Sequence, residues 1–146
     1  VALHKSGIYV IECKNISSII NGNYSDEYWS YSNNSIYSPL YQNNSHIEAL
    51  KNKLNIYDDF YFNSIVVFGN KSNLNICNDS SDKQFYNPYI INQKDIKSTL
   101  YKISNEKKDL FSDDDLIRIY KKLSTYSRPT PESKLKHLEY VKKIRK

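Results

Sequence analysis

Two apolar runs at the start of the chain, separated by a short polar segment, predict a β-hairpin. Residues 1–4 are expected to end one strand, Lys5-Ser6-Gly7 to form a short turn, and residues 8–14 to form a second, antiparallel strand. Because every second side chain of a strand shares a face, one face of the second strand is wholly apolar or aromatic. The other face is apolar until it ends in a carboxylate and an amine, those of Glu12 and Lys14.

Farther along, polar stretches separate more strand-like and helix-like segments. Asn21-Gly22 predicts a turn, and Tyr28-Trp29-Ser30-Tyr31 predicts a short strand. The apolar spacing then becomes helical, which predicts a helix over residues 40–55. Residues 62–68 are rich in β-branched and aromatic side chains, and we expect them to form a buried strand.

The second half of the chain is predicted to be mainly helical after a polar insertion. Residues 70–84 are rich in Asn, Ser and Asp and are expected to form a flexible insertion with at most one short strand. One helix is predicted over residues 95–104. A second is predicted to begin after the N-cap Ser112, with three aspartates in its first turn, and a third is predicted from Thr130-Pro131 onward. The order of hairpin, strand, helix, strand and helices is that of a mixed α/β or α+β fold.

The charge of the chain is unevenly distributed. A formal net charge of +5 usually prompts a nucleic-acid hypothesis. From Arg118 to Lys146, ten Lys or Arg residues accompany two acids, whereas residues 1–117 carry eleven bases and fourteen acids. The basic character therefore belongs to the C-terminal tail. Asn, Ile, Lys and Tyr have AT-rich codons, so an AT-rich coding sequence is an alternative source of the lysines.

Length and residue content exclude several classes of protein. A domain of this size buries a core without disulfides or a structural metal, and Cys13 and Cys77 match no C-x-x-C spacing. We therefore expect a reducing, cytoplasmic setting. No run approaches the roughly 18 apolar residues of a membrane span. The chain has no Met and begins at Val1, so we interpret it as a fragment, and an anchor upstream of it stays open.

The most specific chemical feature is the E-x-K pattern at the end of the apolar strand. Period-two geometry places Glu12 and Lys14 on one face of that strand. A carboxylate there can ligate Mg²⁺, and a neighbouring ammonium can orient water or stabilise phosphate charge. An isolated E-x-K is more often an ion pair at a strand end, so the surrounding residues decide between the two interpretations.

Those surroundings follow a recognisable order. They comprise Gly7 to Asn15, Gly22, Tyr28-Trp29, Ser38 to Gln42, His46 to Leu50 and Ile65 to Phe68. In order and spacing they resemble the nuclease-related domain (NERD) family, whose pattern is a Gly-led strand ending in E-x-K-N, a Gly turn, a Trp, a Pro-Leu-x-Gln step into a helix, and an apolar strand. The resemblance covers about the first 70 residues closely and residues 112–146 more loosely.

The resemblance implies a PD-(D/E)xK-type, restriction-endonuclease-like fold, in which a mixed sheet core is flanked by helices. On this basis residues 1–104 are interpreted as a NERD domain that lacks its N-terminal part. Residues 105–146 are interpreted as a basic helical extension packed on or beside that domain.

The resemblance also implies the roles of the site residues. Glu12 would be the metal-binding acid for Mg²⁺ or Mn²⁺, Lys14 the catalytic amine, and Gln42 a residue that faces the metal site or contacts phosphate. Helix capping is an equally weighted role for Gln42. The family's metal-binding Asp lies just before the segment that matches Val1-Ala2-Leu3, a position absent here. Because a lone carboxylate is poor Mg²⁺ ligation, we expect this chain to be inactive even if the full-length protein cleaves nucleic acid.

Two functions follow from this interpretation, and the sequence leaves open whether the protein is an enzyme. The first is metal-dependent phosphodiester hydrolysis, with DNA as the expected partner. The alternative is a catalytically silent module that keeps the nuclease fold to bind nucleic acid or a protein. Trp29 is interpreted as a packing residue and not as a base-stacking platform. Nucleic-acid contacts, or else a solvated basic face, are predicted for the tail residues Lys134, Lys136, Lys142, Lys143, Arg145 and Lys146.

Overall fold

The structure is a computed structural model and describes residues 1–79, 85–126, 130 and 132. Eight strands and three α-helices follow one another along these residues, with short 3₁₀ turns at Asp59–Tyr61 and Gln93–Asp95. The elements are β1 (Ala2–His4), β2 (Gly7–Lys14), β3 (Ile19–Asn23), β4 (Tyr28–Tyr31), β5 (Asn34–Tyr37), α1 (Pro39–Leu54), β6 (Phe62–Phe68), β7 (Asn73–Cys77), β8 (Pro88–Asn92), α2 (Ile96–Glu106) and α3 (Asp113–Tyr126).

The described strands form two four-stranded sheets, both of mixed direction. The first sheet has the order β1-β2-β6-β8, in which β1 is antiparallel to β2 and the other two pairs are parallel. The second has the order β5-β4-β3-β7, in which β3 and β7 are parallel and the remaining pairs antiparallel. The predicted mixed α/β fold, with mixed sheets flanked by helices, is confirmed.

Strand β6 lies at the centre of the core, as its apolar sequence predicts. All seven of its residues are buried, because both faces of the strand are covered. Val66 and Phe68 pack in one cluster with Leu40 of α1, whereas Ile65 and Val67 pack in another with Ile103 of α2. The first sheet is therefore held between α1 on one side and α2 on the other.

The predicted hairpin is present, and so are the helices predicted over residues 40–55, over residues 95–104 and after Ser112, with ends set by local chemistry. Helix α1 ends at Leu54, where Asn55 adopts a left-handed conformation with φ of 57°. At the start of α3 the backbone N of Asp115 donates to Oγ of Ser112 at 3.1 Å, and the backbone N of Ser112 donates to Oδ2 of Asp115 at 3.0 Å. This reciprocal pair is a capping box, so Ser112 is the N-cap that the sequence predicts.

The prediction of a turn at Asn21-Gly22 is wrong, because both residues lie inside β3. Gly22 faces the indole of Trp29, and a Cβ placed on Gly22 would lie 2.4 Å from Cδ1 of that ring. The glycine is required for the close approach of an aromatic ring and not for a reversal of the chain. The reversal comes after β3, where the backbone N of Asn23 donates to Oδ2 of Asp26 at 2.8 Å.

Strands β5 and β8 were not predicted. Strand β5 is a short edge strand of Asn-Ser-Ile-Tyr with mostly exposed residues, so it lacks a hydrophobic signal. Strand β8 begins with Pro88 and is the edge strand beside β6, a position that tolerates proline because one side of the strand needs no backbone donor. Within the polar 70–84 segment, the expected short strand is β7, which pairs with β3.

The described part of the C-terminal extension packs on the hairpin. The backbone N of Phe111 donates to the carbonyl of Lys5 at 3.0 Å. Phe111 and Ile119 belong to the same buried cluster as Ile8 and Val10 of β2. The helix predicted from Thr130-Pro131 falls almost entirely outside the described residues.

Lys107 joins the end of α2 to the core through a buried ammonium group. The residue is 9% exposed, and its Nζ donates to the carbonyl of Phe60 at 2.7 Å and to Oδ1 of Asn63 at 3.0 Å. Burial lowers the pKa of Lys107 below its ordinary range, although the charges of Glu106 and Asp58 act in the opposite direction. Folding therefore disfavours the charged ammonium of Lys107 relative to its neutral amine.

This lowered pKa predicts a pH dependence of stability. Between the folded pKa of Lys107 and its unfolded value of about 10.5, the unfolded chain binds more protons at this residue than the folded chain does. We therefore expect the free energy of unfolding of the wild type to rise with pH in that window, relative to Lys107→Met. Urea unfolding of both proteins at a series of pH values measures this difference, with the exposed neighbour Lys108→Met as the control. A difference between the wild type and Lys107→Met that stays constant as pH rises would contradict it.

Candidate active site at the carboxyl edge of the sheet

Of the three residues proposed from the sequence as catalytic, Lys14 contacts the other two. Nζ of Lys14 is 2.8 Å from Oε1 of Glu12 and donates to Oε1 of Gln42 at 2.9 Å. Glu12 and Lys14 come from the last residues of β2, and Gln42 comes from the first turn of α1. The structure therefore brings together, at the carboxyl end of a parallel strand, residues that are 28 positions apart in the chain.

The position of Gln42 depends on how α1 is attached to the sheet. Asn43, the next residue, is fully buried, and its Nδ2 donates to the carbonyl of Val10 at 3.0 Å and to Oγ of Ser64 at 3.0 Å. These bonds join the first turn of the helix to β2 and β6 together. Because Gln42 immediately precedes Asn43 in the same helical turn, its side chain is held near Lys14 at the end of β2.

The cluster is partly open to solvent. The side chain of Lys14 is 21% exposed and that of Glu12 is 18% exposed. Both groups therefore keep access to water and to a ligand while a large part of each side chain is covered. The expectation that this acid and this amine project together from the sheet edge agrees with the geometry.

The described contacts of Gln42 involve its backbone and its side chain separately. Its backbone N makes the ordinary helical bond to the carbonyl of Ser38 at 3.1 Å, and its side-chain oxygen accepts from Lys14. Ser38 is the N-cap residue but makes no side-chain capping bond. The Gln42 side chain is therefore committed to Lys14.

The donor set of the cluster fits Mg²⁺ in kind but is small in number. Glu12 contributes a carboxylate and Gln42 an amide oxygen, which are the hard ligands that this ion prefers. Within residues 1–79 and 85–126, no group of three or more His, Cys, Asp or Glu side chains is placed to hold a metal ion. A complete site would need a further acidic ligand beside Glu12.

The other residues considered in the sequence lie away from this cluster or outside the described part. Trp29 is fully buried and stacks on Phe68 with ring centres 6.4 Å apart, which confirms its interpretation as a packing residue. His46 is exposed on α1. Cys13 and Cys77 are exposed free thiols. The basic tail residues, Lys134, Lys136, Lys142, Lys143, Arg145 and Lys146, lie outside the described residues.

Two buried polar residues on α1 were missed by the sequence analysis. Asn43 is one, and it follows Leu40 and precedes Ile47 on the buried face at helical spacing, a position that could have marked it. Lys51 is the other: its Nζ donates to Oδ1 of Asp59 at 2.7 Å and to the hydroxyl of Tyr86 at 3.1 Å. The bond to Asp59 raises the pKa of Lys51 despite the opposing effect of burial. Asn43 therefore joins α1 to the first sheet, whereas Lys51 joins it to the 3₁₀ turn at Asp59–Tyr61 and to the loop before β8.

No helix in the described ranges is long and apolar enough to cross a membrane.

Comparison with protein-family models gives a match. Residues 1–69 match the family model described as the nuclease-related domain, NERD. The matched segment contains β1 to β6 and α1, and therefore the whole Glu12, Lys14 and Gln42 cluster. No curated protein and no solved structure matches the chain. The family resemblance inferred from the sequence is confirmed over these residues.

Proposed function

Because residues 1–69 match the nuclease-related domain, we propose that the cluster of Glu12, Lys14 and Gln42 binds the phosphate backbone of a nucleic acid. In the full-length protein we propose that it takes part in metal-dependent hydrolysis of phosphodiester bonds, with DNA as the expected substrate. The observation that carries the proposal is the contact of a carboxylate and an ammonium, both partly exposed, at the carboxyl edge of a sheet. Ligand sites of open α/β sheets favour that edge.

Lys14 would act on the phosphate or on the attacking water. Its ammonium has three N–H donors, of which Glu12 and Gln42 accept two. The third has no partner in the described part of the chain, so it is available to a phosphate oxygen or to water. Gln42 would act as a positioning residue, since its amide oxygen holds the ammonium in place beside Glu12.

Glu12 would hold Mg²⁺ or Mn²⁺. Such an ion polarises the phosphoryl group and lowers the pKa of bound water. Because Mg²⁺ commonly uses one or two carboxylates together with substrate phosphate, Glu12 alone is the minimum set. We therefore expect the 146-residue chain to cleave poorly or not at all. A longer protein that supplies the aspartate implied by the family resemblance is expected to cleave.

A catalytically silent binding module is the second candidate. It is supported by the single carboxylate of the cluster, which already forms an ion pair with Lys14. It predicts nucleic-acid binding that weakens as salt rises, because released counterions drive phosphate contacts, without any effect of metal on cleavage.

One assay separates these functions. End-labelled DNA and RNA are incubated with the full-length protein and with the 146-residue chain, in Mg²⁺, in Mn²⁺ and in EDTA, and binding is measured in parallel. Cleavage by the full-length protein that requires the metal supports the nuclease. Salt-sensitive binding by both proteins without cleavage supports the silent module, and the absence of both activities overturns both candidates.

The cellular setting is part of the proposal. Cys13 and Cys77 are free thiols, and Cys13 lies beside the candidate site at the end of β2. Free exposed cysteines are usual in reducing compartments. This supports a cytoplasmic protein that acts on nucleic acid there.

A further inference from the structure

A cleft of about 450 Å³ opens beside Lys14, at the carboxyl edge of the first sheet. Its walls are mainly apolar and include Cys13, Val67 and Ile96, which lie on the side of the sheet that α2 covers. The carboxamide residues Asn15 and Gln93 also line it. The cleft therefore combines apolar walls, two amide groups and a shared boundary with the catalytic cluster.

The loops that form this cleft are bonded to one another. The backbone N of Gly69 donates to the carbonyl of Lys14 at 3.3 Å, and Nδ2 of Asn92 donates to the carbonyl of Gly69 at 3.0 Å. The backbone N of Lys94 donates to Oδ1 of Asn70 at 2.8 Å. The residues at the carboxyl ends of β2, β6 and β8 are thus cross-linked, and these bonds stabilise the shape of the cleft.

Gly69 keeps one side of the cleft open. A Cβ placed on this residue would have Oδ1 of Asn15 as its nearest neighbour, at 3.6 Å, which is ordinary van der Waals contact. The space beside Gly69 is therefore not filled by a packed side chain. By contrast, a Cβ on Gly22 would meet the ring of Trp29 at 2.4 Å.

We propose that this cleft receives one unpaired nucleobase of the nucleic acid whose phosphate lies at Lys14. This inference rests on the proposed function and names its substrate class. The apolar walls suit the faces of a base, and the Asn15 and Gln93 carboxamides carry both donors and acceptors for its edge. The phosphate lies on the α1 side of the sheet and the base on the α2 side, so the nucleotide bends around the sheet edge.

A base reaches the cleft only after it has left the base stack. Taking a base out of a duplex costs a few kcal/mol of stacking and pairing, whereas a single strand or a frayed end avoids most of that cost. The preferred substrate is therefore single-stranded nucleic acid or an unpaired end. Because Gly69 and the two carboxamides discriminate weakly among bases, little sequence preference is expected.

Alkylation of Cys13 tests occupancy of the cleft directly. In Cys77→Ser, Cys13 is the single cysteine of the chain, and its rate of reaction with iodoacetamide reports access to the apolar wall. Thymidine 5′-phosphate at about ten times its dissociation constant is expected to slow the reaction about tenfold. Deoxyribose 5-phosphate at the same concentration is expected to slow it less than about twofold, because it lacks the base. Equal protection by the two ligands, or protection by neither, would overturn the proposal.

Filling the cleft gives an independent test. Gly69→Leu is expected to weaken binding of a single-stranded oligothymidylate by at least about tenfold, because the side chain takes the space of the base. Gly69→Ala adds one methyl group, in ordinary van der Waals contact with Oδ1 of Asn15 at 3.6 Å, so it should weaken binding much less than Gly69→Leu does. A duplex of the same length is expected to bind through its phosphates alone, so its affinity should be the same for both variants. The proposal fails if Gly69→Leu binds single strands as well as Gly69→Ala does.

These measurements need no cleavage, so they separate this inference from the function on which it rests. Protection of Cys13 without metal-dependent cleavage by the full-length protein would support the proposal of a base-binding cleft and contradict the proposal of a nuclease. If cleavage is unchanged in Gly69→Leu and Cys13 is not protected, the nuclease proposal is supported and the proposal of a base-binding cleft is contradicted.

Discussion

In the full-length protein, Glu12→Gln is expected to lower metal-dependent cleavage of nucleic acid by at least roughly 100-fold, in line with the loss of one group that stabilises developing charge. The substitution keeps the shape of the side chain and an oxygen that accepts from Lys14, but removes the charge that would hold the metal. Lys14→Met is expected to cause a loss of similar size, because the ammonium is removed and its aliphatic stem is mostly retained. Initial rates at saturating Mg²⁺ measure both effects.

Two matched controls make this result specific. Glu27→Gln removes an exposed acid outside the cluster, and Lys97→Met removes an exposed base from α2. Both remove the same charges as the site variants and should keep cleavage near the wild-type rate. Urea unfolding of all four variants excludes loss of fold as the cause. Cleavage that falls equally in the site and control variants would argue against catalytic roles for Glu12 and Lys14.

Trp29→Ala is expected to lower the free energy of unfolding by about 3–5 kcal/mol. Trp29 is fully buried, belongs to the cluster of Ile20, Leu40 and Phe68, and its Nε1 donates to the carbonyl of Asn23 at 2.9 Å. Its removal leaves a large cavity between the second sheet and β6, and the backbone of Gly22 cannot fill it. Guanidinium unfolding followed by circular dichroism measures the change.

The control for this prediction is the adjacent residue. Tyr28 lies on the same strand with its side chain 59% exposed, and it contacts the ring of Tyr37. Tyr28→Ala is expected to cost about 1 kcal/mol or less, since exposed aromatic pairs contribute at that level. A similar loss in both variants would mean that Trp29 does not hold the two sheets together.

The packing of Trp29 also supports the elements that carry the cluster of Glu12, Lys14 and Gln42. The hydrophobic cluster around Trp29 contains Leu40 in the first turn of α1 and Phe68 at the end of β6, so it adjoins the elements that carry Gln42 and the cleft. The second sheet contributes no residue to the cluster of Glu12, Lys14 and Gln42. Its described contacts instead support the helix and the strand end on which that cluster depends.

Much of the first sheet was predictable because its residues carry strong local signals. Five of the seven residues of β6 are apolar, and β2 contains four apolar or aromatic residues in a row, so both strands are expected to be covered on both faces. The helical spacing of residues 40–55 predicts the element that covers one of these faces. That Glu12 and Lys14 share a face followed from period-two geometry alone. Each of these features depends on residues that are close together in the sequence, so it could be predicted without knowledge of the tertiary structure.

The second sheet was harder because its strands lack such signals. Strands β3, β5 and β7 contain one or two asparagines each, and Ile20 is the single fully buried residue among the three strands. Gly22 illustrates the difficulty, since Asn-Gly is a strong turn signal and only the Trp29 ring above it shows why a glycine stands inside a strand. The Asn43 bonds to β2 and β6 are likewise invisible until the helix and both strands are in place.

By itself the sequence determined the hairpin, the buried strand, the first helix, and the acid and amine that share a face, because backbone periodicity decides all of these within a few residues. Only the tertiary structure decided that Gln42 meets Lys14, that Asn43 joins α1 to two strands, and that a cleft opens beside Gly69. Those features depend on contacts between segments far apart in the chain. Such contacts form only when burial of the common core brings the segments together.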